Sequence, residues 1–405
     1  MLLRIYLCAA VTAFSQSSPA LSLSDAVSEA RRNHPEIALA NARLRGAEAR
    51  RIQAGLRPNP QLTLQTENAR FWGRPAFSFS QDTDNFAYLT WSFEAGGKRG
   101  MRVEEAEAGI AAAHAERERA ERSIASRVVI AYWNAVAAQG LRDLVGQVAG
   151  NFREVVDYHR TRVAEGAMAE VDLMRVLLEQ DRLAVSASGA EAQVQSTRIA
   201  LLREIGRADM HVPVLADSLV EAAEILRPNL AAVLETRPDL IAARRIIAQA
   251  RAQLRLQEAQ WQPDPQALFG YKRSNGFNTI IAGLQIDLPF SNRNQGEVAA
   301  AAADITAAEA SVRAAEAAAR AEIEGAWQTY EARRRLLRET LGPMRNRAEE
   351  IARIALAAYR EGGLDLLRLL DAQRARLEAM TAWYQALADY RISVATVQVV
   401  TGAPL

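Results

Sequence analysis

Cysteine, histidine and long apolar runs are all scarce in this 405-residue chain, and each shortage removes a class of protein. One cysteine, Cys8, cannot build an internal disulfide framework. The four histidines, His34, His114, His159 and His211, are scattered. None has a second histidine three or four residues away, the spacing that puts two metal ligands on one helix face. They read as helix-surface or cap residues. No stretch reaches the roughly 18 consecutive apolar residues of a membrane-crossing helix. Excess charge of one sign is missing as well: 49 basic residues stand against 48 acidic ones, which excludes the basic footprint of a nucleic-acid binder. Catalytic patterns are equally thin. No serine sits in a nucleophile elbow. Gly96-Gly97-Lys98-Arg99 lacks the upstream glycine and the following Ser/Thr of a phosphate-cradling loop. The expectation is a non-enzyme without cofactor or resident metal.

What is present begins with an export signature over residues 1–20. Arg4 supplies the positive end, Ile5 to Phe14 the apolar stretch, and Ser18-Pro19-Ala20 small residues for cleavage. The rest of the chain reads as one plan used twice. His34-Pro35 returns as Arg237-Pro238, 203 residues later, and Pro58-Asn59-Pro60 as Pro263-Asp264-Pro265, 205 later. Trp133 returns as Trp327 at an offset of 194, and Glu165-Gly166 as Glu361-Gly362 and Gly206 as Gly402 at 196. Five matches in the same order point to duplication. The copies fall at 21–206 and 231–405, with 207–230 as a linking segment.

Each copy predicts a helix (Pro35 to Leu56; Pro238 to Trp261), because proline is pre-shaped for a first helical turn and the next proline stops the run. Two alternating strands follow, at about 61–68 and 86–93, then 265–273 and 279–288. In the last of these, Leu284 and Ile286 share an apolar face, and Gln285 and Asp287 the opposite one. Lengths of eight to ten residues suit the roughly 9–11 that a tilted strand needs to cross a bilayer. An ordinary sheet with one buried face alternates in the same way. Very long helices come next, Gly100 to about Glu165 and Gln295 to about Glu361. At 1.5 Å per residue each is roughly 100 Å long, several times the average globular helix. A glycine break near 166 or 362 then turns the chain into a further helix. Four strands cannot close a barrel alone, since single-chain barrels start at eight. Either they form a small sheet, or several chains pool them.

With these residues in view, the sequence resembles the TolC family of outer-membrane efflux proteins over about Leu21 to Gly402. The resemblance is carried by the duplicated plan and by three patterns: Tyr359-Arg360-Glu361-Gly362 with Leu369-Leu370-Asp371-Ala372-Gln373; Gly166 with Asp172; and Asp389-Tyr390-Arg391 leading to Gly402. It implies a mainly α fold with a small β part. Three chains would form a twelve-stranded outer-membrane barrel in lipid, continued by a twelve-helix tunnel through the periplasm of a Gram-negative cell, with 207–230 and the chain ends as a belt. It also implies a periplasmic adaptor and an inner-membrane RND pump as partners. Within the family, Phe93 to Arg99 is similar to a segment of the heavy-metal (cobalt-zinc-cadmium) branch. The absence of metal ligands does not oppose such cargo, since a conduit binds weakly what it passes. The resemblance further implies pore-facing acids at Asp172 and Asp371, and a Tyr359 hydrogen-bonded to Asp172 in the closed state. Leu364 stands where other members carry a gate arginine, with Arg368 the nearby replacement. Gly166, Gly362, Gly363 and Leu364 are the expected adaptor contacts. A drug-efflux or type I secretion duct of the same family, and a soluble periplasmic adaptor or scaffold, are the competing expectations.

Overall fold

The computed structural model describes residues 20–69, 78–207 and 214–403. Apart from Ala20, the expected export signal lies outside these residues, as does His211. Among the described residues no helix is long and apolar enough to cross a membrane.

Each copy opens with a short helix, a proline junction and a longer helix. Leu23–Asn33 (α1) starts at Ser22, whose hydroxyl accepts the Asp25 N–H at 3.2 Å, and Pro35–Ala54 (α2) follows. Leu230–Thr236 (α6) starts at Asn229, whose side-chain oxygen accepts from the N–H groups of Ala231 and Ala232, and Pro238–Ala259 (α7) follows. The short openers have no counterpart in the pattern read from sequence.

Four strands form one antiparallel sheet in the order β1 (Gln61–Glu67), β2 (Asp84–Ser92), β3 (Gln266–Ser274) and β4 (Phe277–Gln285); a four-residue helix, Phe79–Asp82 (α3), precedes β2. The first copy supplies one hairpin and the second copy the other. Asn275 and Gly276, with φ of 50° and 81°, form the tight turn between β3 and β4. β4 ends at Gln285, paired with Gln266, so Ile286, Asp287 and Leu288 lie beyond the strand. The reason is in the partner: the next position is Pro265, which has no N–H to give the ladder.

The long helix of copy one is continuous, Lys98–Ala164 (α4, 67 residues), and returns as Glu170–Ile205 (α5). The long helix expected in copy two is not. Gln295–Arg335 (α8) gives way to a π-helical turn, Leu336–Leu341, before Gly342–Arg360 (α9) and the return helix Leu366–Thr401 (α10). The Gly342 N–H reaches back five residues to the Leu337 carbonyl. Pro343 cannot donate and its ring crowds the carbonyl four residues before it, so the ladder widens at this point.

The chain divides into two compact units, and α4 and α8 contribute residues to both. One unit comprises Pro35–Arg122 and Pro228–Glu324 and holds the sheet. Register puts Trp91, Ala267 and Leu284 in one row of one face; Leu62, Leu89, Phe269 and Ala282 in the next; and Leu64, Ala87, Tyr271 and Ile280 in the third. All eight large apolar residues of these rows are exposed. The opposite face carries Gln61, Thr63, Gln65, Thr90, Gln266, Lys272, Thr279 and Gln285 among its side chains. The other unit draws on the described residues within Met1–His34, Ser123–Arg227 and Gly325–Leu405. Its core joins Trp327, Tyr330, Leu337, Leu387, Tyr390 and Val394, against which Leu219, Ala222 and Ile225 of the linking segment pack. The same segment is pinned by Tyr132, whose hydroxyl donates to Asp217 at 2.6 Å.

Candidate functional site

The candidate site is the pair of helical hairpins that turn at Gly166, between α4 and α5, and at Gly362, between α9 and α10. Both glycines have positive φ, 68° and 76°, and a Cβ on either would meet nothing within 4 Å. Glycine is needed there for its dihedral and not for space. The turns close alike: the Ala167 N–H donates to Arg162 O at 2.9 Å, and the Gly363 N–H to Ala358 O at 2.8 Å. Gly166, Gly362 and Gly363 are exposed, but Leu364 is half-buried against Ala355, Leu369 and Ala372, so it is a packing residue more than a contact surface.

The expected gate residues are only partly brought together. Tyr359 does not bond Asp172 within the chain. Its hydroxyl lies 2.7 Å from His159 Nε2, and the two rings lie within 10° of parallel. Tyr158 meets both rings edge-on. His159 Nδ1 is 2.7 Å from the Val155 carbonyl. A carbonyl only accepts, so Nδ1 carries the hydrogen. In the neutral ring Nε2 is then the acceptor and the Tyr359 hydroxyl the donor. Burial pushes the Tyr359 phenol above its usual value, helped by Tyr158 and by the charge of Asp172, which is near without touching. Asp172 pairs instead with Arg175 at 3.5 Å, one turn into α5. Arg368 reaches neither Asp172 nor Asp371. It pairs with Asp365 at 3.5 Å, and the Asp365 carboxylate caps α10 by accepting the Arg368 N–H at 2.9 Å. Asp371 is exposed, three residues before Arg374.

Two residues of this region were hidden in the sequence. His159 is fully buried and not a surface residue. Its place on the apolar stripe of α4, seven residues after Phe152, is the signal that carried it. Glu179 is buried on α5 between Val176 and Leu183, at helical spacing. It accepts from Arg374 of α10 and from Arg182, which holds its carboxyl below the usual range.

At the sheet end, the segment from Glu94 to Arg102 is a joint. The buried Lys98 ammonium donates to Gln262 O at 2.6 Å and to Asp264 at 2.9 Å, and Asp264 also accepts the Ala95 N–H. Arg99 donates to Gly55 O at 2.7 Å, and Arg102 pairs with Glu94. A Cβ on Gly96, where φ is 66°, would lie 2.3 Å from Gln262 Oε1. Among the described residues no group of three or more His, Cys, Asp or Glu is placed to hold a metal ion.

A family model described as outer membrane efflux protein matches residues 26–207 and 229–403. The nickel and cobalt resistance protein CnrC of Cupriavidus metallidurans is 28% identical over 264 residues, covering 65% of this chain and 62% of that protein. The chain thus spans less than two thirds of CnrC. The cobalt-zinc-cadmium resistance protein CzcC of the same organism is 24% identical over 392 residues, covering 94% and 90%. Among solved structures, the open state of the Neisseria gonorrhoeae MtrE outer membrane channel superposes with a TM-score of 0.79 at 19% identity, covering 94% of this chain and 89% of that one.

Proposed function

The chain belongs to the outer membrane efflux protein family, and from that premise we propose that it is the exit duct for divalent heavy-metal cations in a tripartite efflux system. It is an outer-membrane channel subunit extending into the periplasm, and it is not an enzyme. The observation that carries the duct is the sheet: one exposed apolar face, one mixed polar face, and edges at β1 and β4 that are unpaired among the described residues. Lipid on the first face, water on the second and neighbouring copies at both edges satisfy all three at once. A homotrimer supplies twelve strands, enough to close. The exposed hairpin tips then face a periplasmic adaptor, which links the duct to an inner-membrane RND pump. The hairpin ends near Asp172, Tyr359 and Asp371 form its mouth, with the exposed Asp371 as an acidic group that attracts cations.

The cargo reading rests on the relatives' resistance to nickel, cobalt, zinc and cadmium. It does not rest on Gly96 to Arg99, which the joint at the sheet end accounts for in structural terms. Deletion of the gene should sensitise cells to one or more of cobalt, nickel, zinc and cadmium, with tolerance restored from a plasmid. Unchanged metal tolerance with new drug sensitivity would move the duct to organic solutes.

A further inference from the structure

We propose that His159 and Tyr359 form a proton-sensitive clasp between the two hairpins, released when the imidazole gains a second proton. The proposal rests on the reading of the hairpin ends as the mouth of the duct. His159 sits on α4, seven residues before Gly166, and Tyr359 on α9, three residues before Gly362, so the contact joins the hairpins close to both turns. The ring is fully buried and both of its nitrogens are committed: Nδ1–H to Val155 O, and Nε2 to the Tyr359 hydroxyl.

A proton added at Nε2 reverses that second bond. The nitrogen becomes a donor, the phenol oxygen becomes its acceptor, and the phenol hydrogen must find another partner. The same proton places a positive charge where water does not reach, which is costly without a paired anion. Among the described residues, no anion is in contact with the ring. From α4 come the Tyr158 ring and Arg162, together with Asp157 paired to Arg160 and Glu154 paired to Arg360 of α9. From α5 comes Asp172, held by Arg175. α9 presents Tyr359, and α10 presents Leu366, Leu369 and Leu370, its N-cap Asp365 and first-turn Arg368 being exposed and paired with each other. Imidazole is the side chain whose charge changes between pH 5 and 8, where carboxylates remain ionised. The deeper inter-hairpin pair, Glu179 with Arg374, has its carboxyl held below the usual range and so stays charged throughout that window.

The test is conductance in planar bilayers, with the periplasmic side taken from pH 7.5 to pH 5.5. The parent's open probability should rise about fivefold, the factor that corresponds to losing one ordinary hydrogen bond. His159→Gln should lose the acid response. Tyr359→Phe should be raised at both pH values, because the hydroxyl is gone whatever the ring's charge. An acid response in the parent that survives in His159→Gln overturns the clasp, and so does a parent with no acid response. Tyr359→Phe without effect at pH 7.5 overturns the clasp as well; the reading of the hairpin ends as the mouth fails separately, if Asp371→Asn leaves block by multivalent cations from the periplasmic side unchanged. Nitrogen-15 spectra of histidine-labelled parent protein need no folded variant. They should show one ring moving from the Nδ1–H tautomer to the doubly protonated form within the same pH window. A ring that keeps its neutral tautomer through pH 5.5 overturns the proposal.

Discussion

Replacing Glu179 by glutamine tests how the two return helices are held together. The Glu179 side chain is 10% exposed and accepts from Arg374 Nε at 3.0 Å, from the second Arg374 nitrogen, and from Arg182 at 3.3 Å. Hydrogen bonds to a charged partner contribute about 1.5–3 kcal/mol net. The 3–5 kcal/mol typical of breaking a fully buried pair overstates this case, because Arg374 and Arg182 are 43% and 56% exposed and solvent screens them. Glu179→Gln should therefore cost about 1.5–2.5 kcal/mol per chain. A double-mutant cycle with Arg374→Gln should return a coupling of about 1–2 kcal/mol. Denaturant unfolding of the detergent-solubilised protein, followed by helical circular dichroism, measures both. The pH dependence has a definite sign. Arg374 lowers the Glu179 pKa, with desolvation opposing it. The stability is therefore present above the unfolded carboxyl's value, near 4.3, and is lost as pH falls through the lower folded value. Below that point the parent should lose more stability than Glu179→Gln does, because the variant lacks this one titrating group. A coupling under about 0.5 kcal/mol, within the range of ordinary surface pairs, would refute the reasoning.

Two further predictions concern the sheet. Leu89 lies mid-strand on the apolar face and Thr90 on the other, so Leu89→Arg should cost roughly 2–4 kcal/mol near the bilayer midplane and deplete assembled oligomer in membrane fractions, while Thr90→Arg should not; equal depletion would reject the assignment of faces. Gly96→Ala forces a side chain onto a positive φ, costing roughly 1–2 kcal/mol, and meets Gln262, so it should lower the yield of assembled channel, and Gln262→Ala should recover part of the loss; a normal yield from the single variant would mean that the joint bends freely.

What the sequence made legible follows from periodicity. A strand's side chains alternate whatever lies beside it, so the faces carrying Leu89, Phe269 and Leu284 could be read without a partner. The end of β4 could not, because Pro265, immediately before the neighbouring strand β3, decides it. The hairpin glycines were visible as breaks. Their neighbours' hydrogen bonds were not, since which oxygen or nitrogen meets the Tyr359 hydroxyl depends on the rotation of α4 and α9 about their axes. His159 and Glu179 show the cost of judging polar residues one at a time. Each sits on an apolar stripe, beside Phe152 and Val156 or Val176 and Leu183, and that stripe carries it inward with its partner.

The two copies have also diverged in a way that their spacing records. Trp133 and Trp327 are 194 residues apart, but Gly166 and Gly362 are 196 apart, so the second copy holds two additional residues between these landmarks. In an unbroken α-helix two residues rotate everything beyond them by about 200°, which would turn the buried stripe of α9 outward. That stripe, Ala348, Ala352 and Ala355, still faces inward, and Tyr359 still reaches His159. The excess is taken up within the interval that holds the π turn at Leu336–Leu341 and the Gly342-Pro343 step. α4 carries no such device. A π turn followed by a proline interrupts the i→i−4 ladder that runs unbroken through a continuous α-helix. The second hairpin therefore takes up its extra length before its tip, and Tyr359, beyond the interruption, keeps the register that brings it to His159 of the first hairpin.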